Sequence, residues 1–166
     1  MARVSTSVLL IDVAAAVYGL YGFQGLLTVD GAHYLYGGQR FAQGVPPYVG
    51  AFDIKGPLGP MLVGLPVAIA NRLGWNDLLA VRATWLLLGC LAVLATYWTG
   101  TRLFQSPRVG LFAAFTFLGF FGFARYTASG PETKIPMVVF EILCLYFVLG
   151  KRWLRASLFG TLASLI

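Results

Sequence analysis

Charge is what this chain has least of. Only 11% of its 166 residues are Asp, Glu, Lys or Arg, while 58% are hydrophobic. A soluble domain carries roughly twice that charged fraction, so an ordinary water-covered globule is excluded. Histidine is nearly absent too, with His33 alone, and the two cysteines, Cys90 and Cys144, are not paired as Cys-x-x-Cys. No metal-ligand spacing results, so no structural zinc or redox dithiol is expected. Both cysteines lie inside apolar blocks, where a free buried thiol behaves as a small hydrophobe. The twelve Lys and Arg outnumber six acids for a net charge of +6, but their longest run is Lys151-Arg152. Nucleic-acid binding asks for a clustered basic face; scattered cations in an apolar chain suit loops at lipid head groups.

Long hydrophobic runs are what is there, with a mean hydropathy of +0.78. Crossing a hydrocarbon core of roughly 30 Å takes about 20 apolar residues. Residues 7–29, 80–101 and 109–128 meet that length, 131–150 does so with a polar first turn at the interface, and 153–166 begins a fifth block. Nothing polar closes that last block, so the chain is expected to continue beyond Ile166 in a longer protein. Met1-Ala2-Arg3 resembles the start of a secretory signal, but Asp12 interrupts the core and the run continues, which favours an uncleaved first span. Residues 57–70 would be about 21 Å long as a helix, short for a crossing and suited to the interface. Counting basic residues gives little preference between the two topologies, so length decides. The expected fold is an all-α multi-pass membrane protein of about four complete spans plus a truncated fifth.

On that topology residues 30–76 form one external loop with surface helices at about 31–43 and 57–70. Asp30 before the first, Gly44 just after it and Pro46-Pro47 beyond are ordinary helix punctuation; Pro57 suits the first turn of the second. Among the acids, Asp77 reads as a cap, Asp12 as a snorkelling or helix-pairing group, and Glu141 as a mid-span charge that is either functional or paired. Alone, Asp30 is an N-cap worth about 1 kcal/mol. It is not alone. Asp53 and Lys55 precede Pro57, and a lysine at the positive end of a helix does nothing for that helix. A lysine with helix amides is suited to an anion such as phosphate. Glu132, in Ser129-Gly-Pro-Glu-Thr-Lys134, faces the same side.

At these residues the chain resembles a known family. Asp30-Gly-Ala-His-Tyr-Leu-Tyr, Val45-Pro-Pro-Tyr48 and Phe52-Asp-Ile-Lys-Gly-Pro57, with Pro-Glu-Thr at Glu132, resemble the first external loop and the acidic segment before the fourth span of polyprenyl-phosphate-sugar-dependent glycosyltransferases with the GT-C fold. These include protein O-mannosyltransferases, the lipid A aminoarabinose transferase and the lipopolysaccharide-core galacturonosyltransferase-like group. The resemblance covers about residues 7–155. Gly31 stands where the family has the second acid of an Asp-Glu pair, and Gly56 where it has the first proline of Lys-Pro-Pro.

The resemblance implies a GT-C-like helix bundle in a bacterial or archaeal plasma membrane, its site facing outside. The donor would be a sugar on dolichyl or undecaprenyl phosphate, transferred with inversion to a hydroxyl of a glycan, lipid or protein, with no resident cofactor implied. Asp30 would be the general base, and Lys55 with Arg40 would stabilise the departing lipid phosphate. Glu132, Asp53 and His33 would position acceptor or sugar; His33, three residues after Asp30, would share its helical face or else serve as a surface aromatic. Tyr34, Tyr36 and Tyr48 read as interfacial anchors. Two other classes compete, a transporter component and a non-catalytic membrane subunit. Transporters place polar groups near the midplane, where only Glu141 is expected here.

Overall fold

A computed structural model describes residues 2–23, 25–49 and 55–166. Among them are eight helices and no strand: α1 (Ala2–Tyr21), α2 (Val29–Ala42), α3 (Leu58–Leu73), α4 (Asp77–Phe104), α5 (Pro107–Leu118), α6 (Phe121–Ser129), α7 (Lys134–Leu149) and α8 (Trp153–Ser164). Asp53 lies outside the described residues.

The longest helix is the axis of the bundle. α4 has 28 residues, about 42 Å at 1.5 Å per residue, and α1, α3, α5, α6 and α7 all pack on it. Its buried face alternates small residues (Gly89, Ala92, Ala95, Gly100) with Val81, Trp85 and Tyr97, which lets neighbouring backbones approach. α4 is also the one described helix long and apolar enough by itself to cross a membrane; α1 and α3 contribute shorter apolar stretches, Thr6–Leu20 and Leu58–Leu73.

Two expected spans take a different form. The block 7–29 is helical only to Tyr21, after which Phe23 (φ 63°) and Gly25 (φ 81°) turn the chain. The block 109–128 is two helices, with a 68° bend between Pro107–Leu118 and Phe121–Thr127. The break falls at Gly119-Phe120, where Phe120 is extended. It lets Phe117 and Phe123 meet at 4.7 Å between ring centres, with Phe123 also 6.2 Å from the buried Tyr18 of α1.

Helix punctuation is partly as expected. Past the end of α2, Gly44 has φ +84°, its N–H donates to Phe41 O (2.9 Å), and Val45 N–H donates to Arg40 O (3.0 Å). That is a Schellman motif, and the left-handed position explains the glycine. The two N-caps differ from expectation. Thr28, not Asp30, caps α2, its Oγ1 accepting from Gly31 N–H at 2.9 Å. Asn76, not Asp77, caps α4 through Leu79 N–H at 3.1 Å. In both cases the capping residue is extended while the acid already has helical geometry, and its charge still favours the positive end of the helix.

α2 and α3 pack tightly side by side and run parallel, with Tyr34, Gly38 and Phe41 against Gly59, Val63 and Gly64 in the same order. A Cβ on Gly38 would fall 2.4 Å from Val63 Cγ1, and one on Gly64 2.5 Å from Phe41 Cδ1. The start of the pair sits at the end of the bundle where α6 leads into α7, since Gly59 of α3 lies against Thr133. The opposite end gathers Ser7 of α1, Arg102 of α4 and Tyr146 of α7.

Candidate functional site

Thr28 joins the two acidic segments. The hydroxyl that accepts from Gly31 N–H also donates to Glu132 Oε1 at 2.8 Å, across 104 residues of sequence. The carboxylate of Glu132, only 6% exposed, thereby docks at the start of α2. Asp30 stands two residues after Thr28, exposed, in the first turn. One carboxylate is therefore sheltered and held, and the other is open to an approaching molecule.

α4 supplies the scaffold. Trp85 Nε1 donates to the backbone carbonyl of Glu132 at 2.8 Å. One turn earlier, Arg82 is 4% exposed; its Nε donates to Ser129 O (3.1 Å) and its NH2 to Gly25 O (2.8 Å). A buried guanidinium is costly unless its N–H groups find acceptors, and here they find the two loops that carry Thr28 and Glu132. Nothing in the local sequence marks Thr28, Arg82 or Trp85 for this role. Their partners lie 104, 57 and 47 residues away, and the one usable signal is an arginine in the outer turns of an apolar helix, which must bond something.

The basic part of the site is built on Tyr34, which is 2% exposed. Lys55 donates from Nζ to Tyr34 OH, and its ammonium lies 4.9 Å from the centre of that ring. Tyr48 OH in turn donates to Lys55 O at 2.6 Å. These tyrosines are thus holders of the lysine as well as interfacial side chains. The same Tyr34 ring is 3.9 Å from where a Cβ on Gly59 would be, and Thr133 Cγ2 is 2.9 Å from that point. A continuous path of contacts therefore runs from Lys55 through Tyr34 and Gly59 to Thr133, Glu132, Thr28 and the turn that bears Asp30.

Three expected participants fare differently. His33 is exposed on α2 with its ring edge-on to Tyr34, centres 6.0 Å apart, so it borders the site. Arg40 does not join Lys55. It lies six residues beyond Tyr34, about 9 Å along the helix axis, where NH1 donates to Gln43 Oε1 at 3.0 Å. The amides that open α3 are only partly available to an anion, because Gly56 N–H donates to Ile166 O and Leu58 N–H to Leu165 O, both at 3.1 Å. Lys55 is therefore the cation packed on Tyr34 in this group. Among the described residues no three His, Cys, Asp or Glu side chains form a metal-ligand group. Cys90 is buried and Cys144 half-buried, both as free thiols.

Compared with protein-family models, curated proteins and solved structures, the chain matches none of them.

Proposed function

We propose that this chain belongs to a multi-pass membrane glycosyltransferase that moves a sugar from a polyprenyl phosphate to an acceptor hydroxyl on the outer side of the membrane. The observation that carries the reading is the Thr28–Glu132 hydrogen bond. It unites, at the end where Lys55 packs on Tyr34, the two carboxylates that such a transfer would use.

The multi-pass part is supported by the surface. Phe112 is 75% and Leu154 86% exposed, and Leu9, Leu87 and Leu145 are exposed on three further helices. Apolar surface of that extent needs a cover other than water. α3 carries a second apolar stripe, Met61, Leu65, Ile69 and Leu73, opposite its buried face of Val63, Val67 and Ala70. A short helix apolar on both sides suits the boundary between protein and lipid.

In the proposed reaction Asp30 takes the proton of the acceptor hydroxyl. The acceptor oxygen attacks the anomeric carbon from the face opposite the lipid phosphate, the bond from that carbon to the phosphate oxygen breaks, and the configuration inverts. The phosphate leaves with the electron pair, and Lys55 stabilises its charge. Glu132 has one oxygen engaged by Thr28 and acceptor capacity left to orient a sugar or acceptor hydroxyl. A transporter reading is disfavoured by Glu141, which is exposed on the outside of α7 and not turned into the bundle.

The test uses the full-length protein in membranes with a labelled polyprenyl-phosphate sugar. Wild type is expected to transfer label to an acceptor; Asp30→Asn should lose transfer by at least about a hundred-fold, and Lys55→Ala should be severely slowed. Absence of transfer from every polyprenyl donor, or full transfer by Asp30→Asn, would overturn the proposal.

A further inference from the structure

At the end of the bundle away from Asp30, a cavity of about 420 Å³ opens between α1, α4 and α7, lined among others by Ser7, Trp98, Arg102, Gln105 and Tyr146. Such a volume accommodates a small ligand or a head group. Among the described residues Arg102 is its one charged lining residue. Its guanidinium carbon lies 4.8 Å from the centre of the Tyr146 ring, and NH1 makes a single long contact, 3.4 Å, to Tyr146 O. It lies flush on the end of α7, since a Cβ on Gly150 would be 2.5 Å from NH1.

Balancing the negative end of α7 is one function for that cation. It accounts for one N–H of the five a guanidinium carries, and no carboxylate among the described residues pairs with Arg102. The surroundings are basic: Arg108, Lys151, Arg152 and Arg155 are all exposed at the start of α5 and around the α7–α8 turn. The nearest acids along the helices are Asp12, five residues past Ser7, and Glu141, five residues before Tyr146. Both are exposed, neither lines the cavity, and Glu141 opens into a separate groove between α7 and α8.

We propose that this cavity binds a phosphate group, with Arg102 as the anion-binding residue held planar on Tyr146 and Ser7 and Gln105 as polar neighbours. A guanidinium stacked on a ring keeps its fork of donors oriented for phosphate oxygens. The phosphate can come from a phospholipid head group or from free phosphate. Trp98 in the wall and the exposed Leu103 and Phe104 beside it favour the lipid, because basic pockets between membrane helices with apolar rims hold head groups. The inference is independent of glycosyl transfer.

The purified protein is titrated with phosphatidylglycerol or the phosphate-free diacylglycerol of the same chains in detergent, bound lipid is counted by native mass spectrometry, and inorganic phosphate is followed by tryptophan fluorescence. Wild type should prefer phosphatidylglycerol by about ten-fold, the worth of one charge-assisted contact. Arg102→Gln should abolish that preference, and Arg108→Gln, at an exposed cation outside the cavity, should retain it. If inorganic phosphate at sub-millimolar concentration displaces the lipid and changes the fluorescence, free phosphate is the source; if only the lipid binds, the head group is. Should Arg102→Gln fail to fold, Ser7→Asp places a carboxylate in the cavity and should give the same loss. Equal binding of both lipids with no phosphate response, or a preference that survives Arg102→Gln or falls equally with Arg108→Gln, overturns the proposal.

Discussion

A hydroxyl that both accepts and donates is the smallest unit on which the outer end depends. Thr28 satisfies an N–H that begins α2 and binds the Glu132 carboxylate. Thr28→Val keeps the shape and loses both bonds, so it should destabilise by about 1–2 kcal/mol for the cap with a further cost for the unbonded carboxylate. Thr28→Ser should restore most of it. Thermal unfolding in detergent checks the first effect. The second is read in transfer from the polyprenyl donor, expected to fall about ten-fold in Thr28→Val and to recover in Thr28→Ser. Arg82 is a stricter case, because Arg82→Leu leaves the carbonyls of Gly25 and Ser129 without their donor. It should lose about 3 kcal/mol or more, while Arg82→Lys recovers only part, having no fork to reach both loops. The residues proposed to carry the chemistry, Asp30, Lys55 and Glu132, could be singled out in the sequence because acids and a lysine stand out in an apolar chain. Thr28, Trp85 and Arg82 were not, because what they do is set by partners far along the chain.

Helices were legible where their signals are local and obscured where packing decides. The left-handed glycine at position 44 and the length of α4 follow from nearest-neighbour chemistry and composition. The bend at Gly119-Phe120 does not: residues 109–128 are apolar throughout, and apolarity is the same for one straight helix and for two at 68°. Only the pairing of Phe117, Phe123 and Tyr18 distinguishes them. The two caps were misplaced by one or two residues for a similar reason, since an acid in the first turn and a cap before it carry the same composition. The close approach of α2 and α3 belongs to this scale as well. Gly38→Ala should force Val63 aside and cost about 1–3 kcal/mol, the range for overpacking. Val63→Ala made together with it should recover part of the loss, because the two positions share one space and their effects are coupled. A double-mutant cycle on thermal or denaturant unfolding reads this directly; additive losses would show that α2 and α3 do not pack through that contact.

At the scale of the whole molecule, polarity divides the chain between two ends. Asp30, Lys55 and Glu132 collect where α2 and α3 cover the start of α4, and Arg102, Arg108 and Lys151 collect at its far end, where no acid among the described residues lines the cavity and Asp12 and Glu141 are exposed. Composition implied a membrane but not which side the site faces, because the twelve basic residues divide evenly between the two ends and the positive-inside rule then has little to weigh. The contacts of Arg82 and Thr28 supply what the count lacks: they draw the acidic segments to one end, so a single accessible residue at each end reports the orientation. In a background with Cys144→Ser, which leaves only the buried Cys90, Ala32→Cys lies exposed on α2 and Arg108→Cys exposed on α5. A membrane-impermeant maleimide applied to intact cells should label Ala32→Cys and reach Arg108→Cys only after permeabilisation. The reverse pattern would put Asp30 and Lys55 on the inner face and contradict the outward-facing transfer proposed above. Labelling of both without permeabilisation would mean that α4 does not separate two aqueous compartments at all.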